Sequence, residues 1–314
     1  MATARVGNFL SGLRIEGKER RESTSPAAQA AVGVLCLVAA FAYRGSVSLV
    51  PSGILEDGFI VGLAVLFLAI ALVLRKNEGL ARYWQLPFAF FVFTVAGFAA
   101  DVNISPLQQA FVASVLHQAP TANNPLASSV LGTVLVQLFS TLCMVVPILL
   151  LVKASGANLV SVYVSRPKSW PVTAIGLVGL LVFYYLAARG RTAAFFPHSG
   201  VTPARFLALT PALLVLVLLN GLREELWFRG LFLQRYGQFL GPWTSNLLAA
   251  VIFTSFHVQV QYALHLLPFL GFTLVLGLIC GYLMQRSGSL IGPVLFHAGS
   301  DIPIFLAYLS YVST

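Results

Sequence analysis

Three short stretches place ionisable side chains at helical spacings within apolar sequence: "EELWFR" at 224–229, "FTSFH" at 253–257 and "HAGSD" at 297–301. In a helix, residues four apart share a face and adjacent residues point about 100° apart. Glu225 and Arg229 are therefore expected to pair, in the favourable order with the acid N-terminal. Glu224 falls on another face, with Asn220 one turn back and Phe228 one turn on, and is expected to stand without that arginine. A carboxylate left able to take a proton is what a general base requires. His257 follows Phe253 by four positions, and His297 and Asp301 share a face one turn apart. Together the stretches offer two imidazoles and two or three carboxyls on three separate helices of one apolar bundle, a pattern with few purely structural uses. No serine sits in a Gly-x-Ser-x-Gly context, and Cys36, Cys143 and Cys280 lie in apolar runs as packing residues. Glu224, His257 and His297 could ligate zinc, but the chain lacks a His-Glu-x-x-His pair, and no metal or cofactor is expected.

The elements that carry these residues must cross a membrane. Only 9% of the 314 residues are charged and 58% are hydrophobic, whereas an average soluble domain is about 25% charged. The apolar runs are each about long enough to span a hydrocarbon layer of ~30 Å as a helix. They predict a polytopic, all-α transmembrane helix bundle of about nine spans: Pro26–Tyr43, Phe59–Leu74, Trp84–Ala100, Ser128–Val152, Trp170–Ala188, Phe206–Leu222, Trp243–His257, Leu266–Met284 and Ile291–Tyr311. Beyond Asp101 the only acids are Glu224, Glu225 and Asp301, all in or beside apolar helices. An ionisable group at mid-membrane costs roughly 2.5–3.5 kcal/mol on insertion scales, so a functional reading is the default.

The net charge of +9 is explained by topology rather than by nucleic acid. With the N-terminus cytoplasmic, only Arg44, Arg189, Arg191 and Arg205 of the nineteen basic residues fall outside, which satisfies the positive-inside rule in a cell membrane and puts the C-terminus outside. Residues 1–25 read as a cytoplasmic polar tail, and the first span as a retained anchor rather than a cleaved signal. Residues 26–200 hold N-terminal transmembrane helices of unassigned role, and 201–314 hold the three stretches. The segment from Asp101 to Ala127 reads as an external loop, and Trp84, Trp170 and Trp243 as interface anchors.

In order within about 80 residues, the stretches read Glu-Glu-x-x-x-Arg, Phe-x-x-x-His and His-x-x-x-Asx. This set resembles the CAAX-processing and bacteriocin-processing (CPBP, or ABI) intramembrane glutamic endopeptidases, over roughly residues 205–305. The resemblance implies that Glu224 and His257 activate water and that His297 with Asp301 forms the oxyanion site. It leaves Glu225, Arg229 and Asn220 as structural support. It also implies a peptide or protein substrate, prenylated at a Cys-a-a-X tail in one branch of the family, met among membrane lipids. One departure bears on mechanism: many members carry asparagine where this chain has Asp301. An ionised aspartate would repel an oxyanion, so Asp301 is expected either to be protonated or to orient His297, the latter being favoured.

Other readings stand beside this one. Glu225 and Arg229 could be a structural ion pair, His257 a hydrogen-bonded helix-end histidine, and His297 with Asp301 a helix-to-helix lock. His265 reads as structural, and His117 and His198 as residues of outer segments. Asn220 and Asn246 suit interhelical hydrogen bonding. A proton-coupled transporter also places acids and histidines at mid-membrane, and a non-catalytic scaffold or immunity protein could retain the same fold.

Overall fold

The computed structural model describes residues 25–51, 53–111, 129–196, 201–258, 260 and 265–311; the readings of residues 1–24, His117 and His198 fall outside them. Every regular element among the described residues is helical: α1 (Pro26–Leu49), α2 (Ile54–Lys76), α3 (Gln85–Phe111), α4 (Val130–Ala154), α5 (Trp170–Ala188), α6 (Pro203–Glu224), α7 (Leu233–Ser255), α8 (Leu266–Ser287) and α9 (Ile291–Ser310). Local signals account for several ends. The Ser129 and Thr202 side chains accept from Gly132 N and Arg205 N and so cap α4 and α6. Pro203 adds a pre-set φ where no N–H partner exists. Gly288, at φ 67°, closes α8 in the left-handed conformation.

Eight of these helices are long and apolar enough to cross a membrane. The protein is a multi-pass membrane protein. Three boundaries differ from the sequence reading. Helix α3 runs on to Phe111, so the proposed external loop begins as helix. The sixth span extends to Gly230, because α6 continues into a π-helical turn at Glu225–Gly230. The seventh is not among the eight: α7 begins at Leu233 and bends at Gly241 (φ 73°), which lies just before Pro242. Leu233–Ser255 is therefore two helical pieces, since Pro242 cannot donate to the turn before it.

Contacts define how the C-terminal helices run. Helices α5 and α9 are parallel, with Gly176 against Gly292 and Gly299 against Leu180. Helix α6 is antiparallel to α9: Arg205 donates to Ser310 O at one end, and Asn220 donates to Asp301 further along. Helix α7 is antiparallel to α8, with Gln285 donating to Pro242 O and Asn246 to Leu278 O. The 155–169 and 287–290 loops join at one end, where Lys168 N donates to Ser287 O and Ser165 Oγ to Gly288 O.

Two apolar clusters fill the interior. One joins α1–α4, α7 and α8 around Phe93, Phe232, Tyr236 and Phe253. The other joins α5, α6 and α9 around Leu213, Leu216, Ile302 and Leu306. Helix α6 passes from the second, which it leaves at Val217, to the first, which it enters at Leu226. The polar residues 220–225 occupy the seam. The α5–α9 contact depends on small residues, because a Cβ on Gly176 would overlap the Gly292 carbonyl. Gly176→Leu is therefore expected to lower stability by roughly 1–3 kcal/mol, as overpacking does. Gly62→Leu, at a position with open space, should be neutral. Thermal unfolding in detergent compares the two, and equal effects would contradict this packing.

Candidate active site

The site is assembled from the inside of α6 outward. The π turn is marked by Leu231 N bonding to Leu226 O, five residues back, and such widened turns concentrate at functional sites. It is anchored by Trp227, whose ring stacks on Phe93 at 4.2 Å and whose Nε1 donates to Phe93 O at 3.0 Å. The two glutamates thus lie inside the span rather than at its end. From Glu225 the π turn continues for five more residues, to Gly230.

Glu225 and Arg229 are paired as their spacing predicts, at 2.5 Å and with both side chains fully buried. The carboxylate does more than hold the arginine. Its Oε1 also accepts from His297 Nδ1 at 2.6 Å. Arg229 is itself held from three directions: by Glu225, by the Gly277 carbonyl of α8 at 3.3 Å, and by the Phe253 ring under its guanidinium at 4.3 Å.

Phe253 explains the second stretch. Its carbonyl accepts from His257 Nδ1 at 2.9 Å, so the neutral ring presents Nε2 as an acceptor. Its ring meets the His297 imidazole edge-on at 5.6 Å and lies 4.6 Å from that of His257. One phenylalanine therefore spaces both histidines and supports the buried cation.

Arg229 pairs with Glu225 rather than with Glu224, as the spacing predicts, but Glu224 has a cation of its own. Arg223, its chain neighbour, places Nη2 3.3 Å from Glu224 Oε1. Oε2 is buried without a hydrogen-bond partner and lies 3.6 Å from His297 Nε2. Asp301 Oδ2 also lies 3.6 Å from His297 Nε2, too far for a hydrogen bond, and instead accepts from Asn220 Nδ2 at 2.8 Å. The direct hydrogen bond that orients the His297 ring comes from Glu225, across the helix interface, rather than from Asp301 on the same face.

Asn220, Arg223, Glu224, His257, His297 and Asp301 all line one cavity of about 210 Å³, closed elsewhere by Phe269, Phe272, Leu276 and other apolar side chains. Glu225 and Arg229 lie behind it. A second cavity of about 300 Å³, lined by Phe183, Leu186, Phe195 and Pro268 among others, shares Phe269, Phe272 and Ser300 with the first. Of the other polar residues considered, Asn246 bridges α7 and α8, and His265 lines the second cavity. The three cysteines are free, with Cys36 and Cys280 buried.

Residues 206–302 match the family model described as type II CAAX prenyl endopeptidase, Rce1-like. This segment is similar to the Rce1-like endopeptidases. It covers just under a third of the chain and includes all three stretches. No curated protein and no solved structure matches the chain. Helices α1–α5 lie outside the Rce1-like segment, yet Phe93 of α3 and residues of α4 touch it.

Arg223, Gln137 and Ser140 were not singled out by sequence. Arg223 reads as one more topology-setting charge, although its spacing of three from Asn220 is a helical contact. Gln137 and Ser140 are also three apart, within an otherwise apolar helix, and that is the only trace they leave.

Glu225→Gln is expected to destabilise the fold by about 3–5 kcal/mol, because it leaves Arg229 charged and buried without its carboxylate. The double change Glu225→Gln with Arg229→Met should recover part of that loss. Thermal melts of both proteins in detergent test this, and a double variant no more stable than the single one would count against it.

Proposed function

We propose that this protein is an intramembrane endopeptidase in which Glu224 and His257 activate water against a peptide carbonyl. The observation that carries the proposal is the convergence of Glu224, His257, His297 and Asp301, from three different helices or their ends, on one cavity. Glu224 offers the unpartnered Oε2, and His257 offers Nε2 as a second acceptor. The two hold a water by its protons. As its oxygen adds to the carbonyl carbon, the proton passes to Glu224 and charge develops on the carbonyl oxygen. In its protonated form His297 donates from both nitrogens, one to Glu225 and the other, Nε2, toward the cavity and the oxyanion. Glu224 then returns the proton to the leaving amine. Asp301, fixed by Asn220, completes the oxyanion side. In this position a protonated carboxyl and an asparagine amide can both donate.

The substrate is a peptide or protein segment that enters from the bilayer. The adjoining apolar cavity suits its apolar portion, whether a side chain or a lipid. Prenylation is proposed from the family alone, as is placement in the cell membrane among its lipids. The N-terminus is assigned to the cytoplasm from the distribution of lysine and arginine. The hydrogen-bonded 155–169 and 287–290 loops support that scheme, since both belong to its inner side.

Purified protein in detergent is to be tested on a quenched-fluorescent peptide library that includes farnesylated members. Glu224→Gln is expected to abolish cleavage with the melting temperature near that of wild type. Cleavage retained by Glu224→Gln would overturn the assignment of the base. Asp301→Asn, which installs the donor common in the family, should keep activity within about threefold. Asp301→Leu should lose 10²-fold or more, on the order of an oxyanion-hole donor. Equal activity of the two would remove Asp301 from the oxyanion side.

A further inference from the structure

Helix α4 is outside the Rce1-like segment, but its side chains bond two residues that line the cavity. Arg223 Nη1 donates to Ser140 Oγ of α4 at 2.6 Å. Arg223 Nη2 donates to Asn220 Oδ1 at 2.6 Å and lies 3.3 Å from Glu224 Oε1. Gln137 Nε2, one turn before Ser140, donates to the same Asn220 oxygen at 3.3 Å. Asn220 in turn donates to Asp301 Oδ2. A continuous polar strap therefore crosses from α4 through α6 to α9, and both carboxylates of the cavity hang from it.

The strap discriminates between the two oxygens of Glu224. Oε1 faces Arg223, while Oε2 has no hydrogen-bond partner and lies 3.6 Å from His297 Nε2. Both nitrogens at the end of the guanidinium are committed to protein acceptors, so Arg223 is not built to grip a substrate anion. An arginine suits this task because its planar fork can hold Ser140 and Asn220 in a fixed geometry, which a single ammonium cannot.

We infer that Arg223, clamped by Ser140 of α4 and by Asn220, is a positioning residue that presents Glu224 Oε2 to the reacting water, so that the N-terminal helices complete the active site. This rests on the reading of Glu224 as the base. It gives α4 a part in the reaction that the three stretches do not contain.

The test uses the full-length protein in detergent and a peptide that the wild type cleaves. Arg223→Gln is expected to lower kcat by about 10²-fold, the scale of a displaced reacting group, with KM changed by no more than about threefold. Arg223→Lys should recover part of kcat, because the cation beside Glu224 is kept while the fork is lost. Ser140→Ala, which alters nothing in the Rce1-like segment, should lower kcat by about three- to tenfold with KM unchanged. It also carries the test alone if Arg223→Gln fails to fold. Wild-type kcat in Ser140→Ala and Arg223→Gln, or a loss confined to KM, would overturn the inference. Glu224→Gln separates the two levels. If it is inactive while the Arg223 and Ser140 variants are normal, only the positioning role fails; if it is active, the base assignment fails and the positioning role with it.

Discussion

The Glu225 carboxylate, shared between Arg229 and His297 with all three side chains buried, is the contact on which the rest of the site depends. Charges removed from water carry a desolvation cost of several kcal/mol each, which is offset only when their hydrogen-bonding groups are met by good partners. That requirement recruits the neighbouring helices. The Gly277 carbonyl of α8 and the Phe253 ring of α7 hold the arginine, and His297 of α9 takes the other side of the carboxylate. A single acidic residue thus fixes how α6, α7, α8 and α9 meet, and it does so just behind the cavity wall. Glycine at 277 belongs to the same arrangement: a Cβ there would stand 3.1 Å from an Arg229 nitrogen and 3.0 Å from Ala250 Cβ.

The division of labour between two adjacent glutamates follows from burial. Glu225 has no exposed surface, whereas the Glu224 side chain keeps 15% of its surface on the cavity. Glu225 holds a cation and an imidazole through Oε1, away from the cavity, and is structural in its energetics. Glu224 lines the cavity. Placing both in the seam between two apolar clusters keeps the two carboxylates out of either cluster.

The N-terminal helices are more than a membrane anchor for this layer. Phe93 of α3 stacks on Trp227 and accepts its indole N–H, which fastens the π turn to α3. Thr141 of α4 donates to the Leu219 carbonyl, one turn from the glutamates and within the same helix. Such contacts matter in lipid, where apolar packing gains little over lipid tails and interhelical hydrogen bonds and close packing carry the association.

The sequence by itself determined whatever helical geometry decides within one segment. Apolar length marked the spans, a spacing of four paired Glu225 with Arg229, and the order of the three stretches carried the likeness to a family. It placed Glu224, His257 and the His297–Asp301 pair on three separate helices or their ends without saying how they meet. Only the tertiary structure decided that His297 bonds Glu225 rather than Asp301, that Arg223 stands beside Glu224, and that Ser140 and Gln137 of α4 bond Arg223 and Asn220. It also placed the π turn after Glu224 and the bend at Gly241, in the stretch between Leu222 and Trp243 that the apolar pattern leaves outside the spans. The reason is physical. Spacing along a helix is set by 3.6 residues per turn whatever surrounds it, whereas a contact between helices depends on crossing angle and depth, which arise when all the side chains pack together.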